Sequence, residues 1–259
     1  MISVVIPTYK RPDLLVRLLE SIAVQTYLPS EVIVVDDCSG CKDEYRACIS
    51  RFEETFDSIK YICLENNSGA PVARNTGIKA AKQEWIALVD DDDEWLPTKL
   101  EEQVALIMDS KVRNLGLVYT WTTAKGENGQ NSYDSCISIV GDAKKSLLST
   151  NFIMSASVVV KKEALAKAGY FDTKLPSCQD WDMWIRISMA GYYFDVVEKV
   201  LTIYHRHGGE SIGLSSNAKL GYRMLLEAHW SDIAKYTSTL NKCKKLWLYI
   251  KVRIATYGI

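Results

Sequence analysis

Four consecutive aspartates at positions 90–93 are the residues in this sequence that most plainly could do chemistry. They directly follow an apolar run at residues 85–89, which indicates a buried strand. Like charges concentrated at a strand end repel one another, so we expect a cation to offset them. Carboxylate oxygens favour a hard ion such as Mg²⁺ or Mn²⁺, which commonly completes its coordination shell with substrate phosphates. The alternative is a solvated acidic turn in front of a helix that begins at Lys99.

The elements that must position these aspartates alternate between strand-like and helix-like patterns. Short β-branched runs predict strands, and apolar residues at helical spacing predict the helices between them. The predicted strands cover residues 3–6, 32–35, 61–64 and 85–89, and the predicted helices cover residues 12–25, 45–56 and 71–81. This alternation predicts an α/β fold with a mostly parallel, Rossmann-like sheet and helices on both faces.

Polar residues follow each predicted strand, and the sheet should bring them to one edge. They occupy positions 7–11, 36–39, 66–69 and 90–93. In open parallel sheets, ligands bind beyond the carboxyl ends of the strands. We therefore expect all four segments to surround one crevice.

The alternation weakens beyond residue 117. A stretch rich in Gly, Asn and Ser at residues 125–135 predicts a loop. After it we expect a strand at 155–160, a short helix at 162–168 and a further helix at 181–189.

Composition argues against several classes of protein. A formal net charge of -1 over 259 residues disfavours a nucleic-acid binder, which needs a basic excess. The seven cysteines are scattered and no signal peptide is recognised, so we expect a reducing cytoplasm. No apolar stretch reaches the length of a membrane span. Cys38 and Cys41 have the spacing of a redox or zinc half-site, but no second closely spaced pair completes a zinc shell.

Five motifs occur in order, and together they resemble the family 2 inverting glycosyltransferases of the GT-A fold. The motifs are Val4-Val5-Ile6-Pro7-Thr8-Tyr9, Val34-Val35-Asp36-Asp37-Cys38-Ser39, Ala73-Arg74-Asn75-Thr76-Gly77, Leu88-Val89-Asp90-Asp91-Asp92-Asp93-Glu94-Trp95 and Gln179-Asp180-Trp181-Asp182. The match covers about the first 210 residues. It implies a GT-A domain at 1–213, with a donor half at 1–115 and an acceptor half at 116–213, followed by a helical tail at 214–259.

The resemblance implies a site for a nucleotide-sugar donor. Pro7, Thr8 and Tyr9 would line the base pocket, and Asp37 would accept a hydrogen bond from a uracil-like base. The full set of implied donor-binding residues is Pro7, Thr8, Tyr9, Arg11, Asp37, Arg74, Asp90 and Asp91. Taken singly, Tyr9 could instead be a packing residue, Asp37 a helix cap and Arg74 a surface cation.

The resemblance also distinguishes among the aspartates as metal ligands. Asp92 would be the leading direct ligand, Asp90 would lie nearer the ribose or the metal, and Asp93 would support both. His207 matches a family histidine that contacts the metal or the diphosphate, although His205 and Arg206 appear transposed against the common order.

An inverting transferase needs a general base to take the proton from the acceptor hydroxyl. The resemblance implies that role for Asp180, with Asp182 as the competing carboxylate. Gln179 stands where the family commonly has glutamate, and Trp181 is expected to bury and tune the base. The alternative is that Asp180 is an ordinary carboxylate at a helix N-terminus.

The tail is expected to form a helix at 220–236, and basic and aromatic residues interleave at 242–253. Such a segment can lie in a membrane interface, with its basic residues near anionic head groups. The alternative is a terminal helix that packs on the domain.

The sequence therefore predicts a metal-dependent inverting hexosyltransferase that uses Mn²⁺ or Mg²⁺. The donor is expected to be a UDP-sugar carrying glucose, galactose or N-acetylhexosamine. The expected acceptor is a saccharide, such as a polyprenyl-diphosphate-linked O-antigen or capsule intermediate, reached from the cytoplasmic face of the inner membrane. The alternatives are a nucleotidyltransferase, which would need a glycine-rich triphosphate loop, and a non-catalytic nucleotide-sugar-binding protein.

Overall fold

The computed structural model describes residues 1–126, 132–205 and 216–257. Its first half alternates strands and helices as predicted. The strands are β1 (Ile2–Thr8), β2 (Glu31–Asp36), β3 (Ile59–Cys63) and β4 (Trp85–Leu88), and the helices between them are α1 (Pro12–Ala23), α2 (Lys42–Ser50) and α3 (Ala70–Ala80). Proline lies in the first turn of α1 and α3, where its fixed φ suits a helix and its missing N–H has no helical partner.

The first four strands form the parallel part of the sheet. Their spatial order is β3, β2, β1 and β4. β1 pairs with β2 from Ser3 opposite Glu31 to Thr8 opposite Asp36. Because neighbouring parallel strands end at the same level, the segments that follow them meet at one edge, and the predicted Rossmann-like arrangement is confirmed.

The second half extends the same sheet with mixed strand directions. Its elements are β5 (Glu94–Trp95), α4 (Lys99–Asp109), β6 (Leu115–Lys125), β7 (Tyr133–Ser135), α5 (Lys144–Leu147), a 3₁₀ turn (Ser155–Ser157), β8 (Val158–Lys161), α6 (Lys162–Lys167), α7 (Gln179–Met189) and β9 (Tyr193–His205). β8 is antiparallel to both β4 and β6, whereas β6 and β9 run parallel. β5 and β7 add short antiparallel pairings to β9 and β6.

The sequence pattern is least informative in this second half. It does not predict β6, because buried threonines interrupt its apolar run. The hydroxyl of one of them, Thr120, contacts that of Thr202 across the sheet at 3.0 Å. The strand expected at 155–160 begins only at Val158, since the three residues before it form the 3₁₀ turn. Part of the loop expected at 125–135 is β7.

Two apolar layers cover the faces of the sheet. Val5, Ile33 and Ile86 belong to one layer, whereas their neighbours Val4 and Val34 belong to the other, as alternation along a strand requires. On the first face α3 packs closely on β1, and a Cβ at Gly77 would overlap the side chain of Val5.

The C-terminal helices α8 (Ser216–Tyr236) and α9 (Thr239–Tyr257) follow β9, and α8 packs on α7. Leu225, Leu226 and Ile233 of α8 belong to the same buried cluster as Met183 and Trp184 of α7. The helix predicted at 220–236 is therefore confirmed, with four additional residues at its start. Within the described part of the chain, no helix is long and apolar enough to cross a membrane.

Candidate active site

The aspartate run forms a turn after β4 in which the four side chains point alternately outward and inward. The side chains of Asp90 and Asp92 are 30% and 18% exposed, whereas Asp91 and Asp93 are buried. Burial and the neighbouring aspartates raise the pKa of Asp93 well above its usual value. Asp90 and Asp92 are therefore the two carboxylates of the run that can meet a ligand.

Asp91 and Asp92 are tied to the end of β1. Arg11 contacts Asp92 at 2.7 Å and Asp91 at 3.2 Å, and the Thr8 hydroxyl donates to Asp91 at 2.6 Å. Burial raises the pKa of Asp91 to about 7, against the opposing effects of Arg11 and Thr8. Asp91 thus stabilises the loop that carries the predicted base pocket, and its direct contact with a donor stays a prediction.

Arg17 and His205 complete the surroundings of the aspartate turn. Arg17 of α1 donates from Nη2 to the backbone carbonyl of Asp92 at 2.5 Å. At the end of β9, His205 lies 3.2 Å from Glu94, and its backbone N–H donates to Asp93. The turn is therefore held by the first helix on one side and by the last strand on the other.

The predicted base pocket lies between the ends of β1 and β2. Tyr9 is 38% exposed, whereas Pro7 and Thr8 are buried. Both carboxylate oxygens of Asp37 accept backbone N–H groups, from Ser68 and Gly69, at 2.7 Å each. Asp37 therefore orders the segment after β3, and a bond to a base would have to use its remaining lone pairs.

Arg74 joins the aspartate turn to α7, and so links the halves predicted to bind donor and acceptor. This largely buried side chain of α3 donates from Nη2 to Asp90 at 2.6 Å and from Nη1 to the side-chain oxygen of Gln179 at 3.1 Å. Its Nε is buried and has no hydrogen-bond partner among the described residues. A planar guanidinium can bridge two acceptors in this way, so Arg74 fixes the position of α7 relative to the aspartate turn.

Asp180 lies in the first turn of α7, inside the helix rather than in front of it as expected. Its Oδ2 accepts a hydrogen bond from the side-chain amide of Asn151 at 3.2 Å, and its Oδ1 accepts the N–H of Trp181. Burial raises the pKa of Asp180, although Trp181, Arg74 and Asn151 lower it. A carboxylate with a raised pKa is a better base than an exposed one.

Trp181 and Asp182 point away from this carboxylate. The indole of Trp181 donates to the carbonyl of Leu147 at 2.7 Å. Asp182 is buried and accepts hydrogen bonds from Arg186 and His229. Burial alone would raise the pKa of Asp182, but these two partners lower it. Both residues therefore support the helix that carries Asp180.

A divalent cation fits the two outward carboxylates. No group of three or more His, Cys, Asp or Glu side chains with the arrangement of a metal site occurs in residues 1–126, 132–205 and 216–250. Mg²⁺-type ions, however, are often held by only one or two carboxylates together with substrate phosphates. Asp90 and Asp92 supply oxygen ligands of that kind, and His207 lies outside the described residues.

Several residues of the site carry no sequence signal that predicts a role. Asn151 belongs to an irregular segment, and Arg17 is one cation on an amphipathic helix. Tyr45 of α2 hydrogen-bonds with the Thr8 hydroxyl at 2.9 Å and accepts the Arg11 N–H. The helical spacing of apolar residues over 45–56 predicts only that Tyr45 packs in the core.

Comparison with known proteins agrees with this architecture. The chain is 30% identical over 237 residues to an uncharacterized glycosyltransferase of Methanocaldococcus jannaschii, covering 90% of this chain and 80% of that protein. It is 29% identical to the putative colanic acid biosynthesis glycosyl transferase WcaA of Escherichia coli, covering 88% and 81%. The chain also matches an uncharacterized glycosyltransferase of Haemophilus influenzae, of whose length it covers 62%.

Two solved structures share the fold. Residues 1–349 of S. aureus TarS, in complex with UDP-GlcNAc, match with a TM-score of 0.69 and 21% identity, covering 99% of this chain and 74% of that one. The mannosyltransferase PcManGT of Pyrobaculum calidifontis, in complex with GDP-Man and Mn²⁺, matches with a TM-score of 0.66 and 18% identity, covering 100% and 76%. The predicted GT-A fold is confirmed by these neighbours.

The family assignment follows from the first two thirds of the chain. The model of the family described as glycosyl transferase family 2 matches residues 3–167, which include β1 to β8 and the aspartate turn. This match and the archaeal relative agree with the motifs read from the sequence. The chain belongs to glycosyl transferase family 2.

Proposed function

We propose that the protein is a metal-dependent inverting glycosyltransferase that moves a hexose from a UDP-sugar to a hydroxyl of a saccharide acceptor. The observation that carries this proposal is the bridge made by Arg74. One side chain contacts Asp90 of the aspartate turn and Gln179, the neighbour of Asp180. Donor and base are thereby held next to each other, as direct displacement at an anomeric carbon requires.

Asp180 is the proposed general base. Its raised pKa favours proton acceptance from an acceptor hydroxyl, while Asn151 keeps one of its oxygens oriented. A bound Mn²⁺ or Mg²⁺, held by Asp90 and Asp92, would neutralise charge on the departing diphosphate. Arg11 and Arg74 contact these two carboxylates and would bind the same phosphates.

The donor base is proposed to be uracil, with Tyr9 and Asp37 in its pocket. TarS, with UDP-GlcNAc bound, supports a UDP-sugar, whereas PcManGT binds GDP-Man with a similar fold. The fold alone therefore does not select the base. A panel of UDP- and GDP-sugars, assayed for hydrolysis and transfer with and without Mn²⁺, separates these donors.

The acceptor is proposed to be a lipid-linked intermediate of a surface polysaccharide, reached in the cytoplasm. The relatives named for colanic acid and amylovoran biosynthesis support this choice.

The outer face of α9 supports membrane contact, because it exposes Leu246, Trp247 and Ile250 among lysines. We expect Trp247→Ser with Ile250→Ser to reduce recovery with anionic liposomes in flotation, and unchanged recovery would contradict this contact.

The catalytic proposal is tested by Asp180→Asn. We expect turnover to fall by about 10²- to 10⁴-fold, the usual contribution of a general base, while metal-dependent UDP binding stays unchanged. Turnover and calorimetric UDP binding are measured on the same preparations. Normal turnover would remove Asp180 as the base, and absent UDP binding in the native protein would contradict the donor assignment.

A further inference from the structure

The helix α8 packs against the segment that carries Asp180. It contacts Ser177, Trp181 and Asp182, which lie on either side of the proposed base. Gln179 and Asp180 instead face Arg74 and Asn151. The start of α7 therefore has two sides, one turned to the site and one turned to the C-terminal part of the chain.

The first contact is a close approach of two backbones. Ser177 is buried, and its hydroxyl donates to the carbonyls of Asn217 and Ala218 at 3.1 and 3.3 Å. A Cβ at Gly221 would lie only 2.7 Å from the Ser177 carbonyl oxygen. The next residue, Cys178, has a left-handed φ of 58°, so the backbone that leads into α7 is held in an unfavourable conformation. A larger residue at 221 would have to displace this segment.

The second and third contacts lie further along the same face of α8. Tyr222 packs on the Trp181 ring with 5.8 Å between centroids, and Lys245 of α9 lies over the same indole at 4.6 Å. About two helical turns later, His229 Nε2 lies 2.8 Å from Asp182 Oδ1 and both side chains are buried. Positions 221, 222, 225, 226, 229 and 233 follow helical spacing, so the contacts of Gly221, Tyr222 and His229 lie on one continuous stripe of α8.

We propose that α8 positions the general base, with Tyr222 and His229 as positioning residues. This inference rests on the proposed role of Asp180. The contacts hold the first turn of α7 from behind, so that Asp180 keeps its place against Asn151 and next to the donor. The helix α8 is then part of the catalytic unit rather than of an appended tail. Misplacement of a reacting group by about 1 Å can cost on the order of 100-fold in rate.

The test compares Tyr222→Leu and His229→Leu with Tyr222→Phe and Ser231→Ala in the full chain. Tyr222→Phe keeps the ring that faces Trp181, and Ser231 is exposed on the opposite side of α8. We expect the two leucine variants to lose on the order of 100-fold in kcat while KM for the UDP-sugar and UDP affinity stay native. The two control variants should retain native kcat.

Different outcomes separate this inference from the proposed function. If the native protein transfers no sugar from any UDP- or GDP-sugar, the proposed function fails before α8 is tested. If the native protein is active and folded Tyr222→Leu keeps native kcat, the positioning role of α8 is overturned. A parallel rise of donor KM would also overturn it, because that result indicates general loss of structure. If His229→Leu does not fold, Tyr222→Leu, at a less buried site, tests the positioning role of α8 by itself.

Discussion

The two halves of the site hold their carboxylates in opposite ways. In the donor half, Asp90 and Asp92 are partly exposed and each contacts an arginine. In the acceptor half, Asp180 is bonded to a neutral amide and a backbone N–H, and burial raises its pKa. Arginine partners favour the charged form of a carboxylate, which binds cations and phosphates, whereas burial makes Asp180 more basic even though its hydrogen-bond donors lower its pKa.

The halves also differ in where their partners come from. The donor residues follow neighbouring parallel strands, so the backbone alone brings them together. The residues around Asp180 come from an irregular segment, from α3 and from α8, far apart in sequence. Arg74 hydrogen-bonds both to an aspartate of the turn and to a side chain of α7.

The largest effect is expected for Asp92→Asn, which should lose affinity for the donor nucleotide. Removing one of two carboxylate ligands should weaken Mn²⁺-dependent UDP binding by at least about 100-fold. Loss of a residue that only supports a metal ligand already costs up to about 100-fold in metal affinity. The exposed Asp109→Asn variant is the matched control. Calorimetry with UDP and Mn²⁺ measures the effect. If Asp92→Asn bound UDP and Mn²⁺ with native affinity, the aspartate turn would not be the donor-binding part of the site.

A smaller effect is expected from Arg74→Lys, which acts on both halves. Lysine keeps the charge but cannot bond Asp90 and Gln179 at once in the geometry of a guanidinium. Loss of one hydrogen bond to a charged group, at about 1.5–3 kcal/mol, should lower kcat/KM by about 10- to 100-fold. The control is Lys79→Arg, at an exposed position in the last turn of α3. A change confined to donor affinity would mean that Arg74 does not couple the halves.

The smallest effect is a shift in pH dependence from Asn151→Ala. Asn151 donates to the charged form of Asp180, so its removal should raise the pKa of that carboxyl further. The base works only when ionised, and the acid limb of the kcat profile should therefore move to higher pH by up to about one pH unit. Thr150→Ala, at an exposed neighbour, should leave the profile unchanged. A shift to lower pH would contradict the assigned hydrogen bond.

Much of the donor half could be predicted from the sequence. The ends of three apolar runs predict the ends of β1, β2 and β4 to within two residues, and the carboxyl ends of parallel strands must share an edge. The inequality of the four aspartates was also expected. Which of them face outward follows from the turn itself, because Asp91 is drawn inward by Thr8 and Arg11.

The sequence by itself determined the family, the parallel sheet and the gathering of polar residues at one edge, because these depend on local pattern and chain order. Only the tertiary structure decided what Asp180 contacts. The amide of Asn151, the bridge of Arg74 and the support of His229 through Asp182 all join residues that no periodicity relates. A buried hydrogen bond depends on where distant elements pack, and packing is a property of the whole fold rather than of any segment.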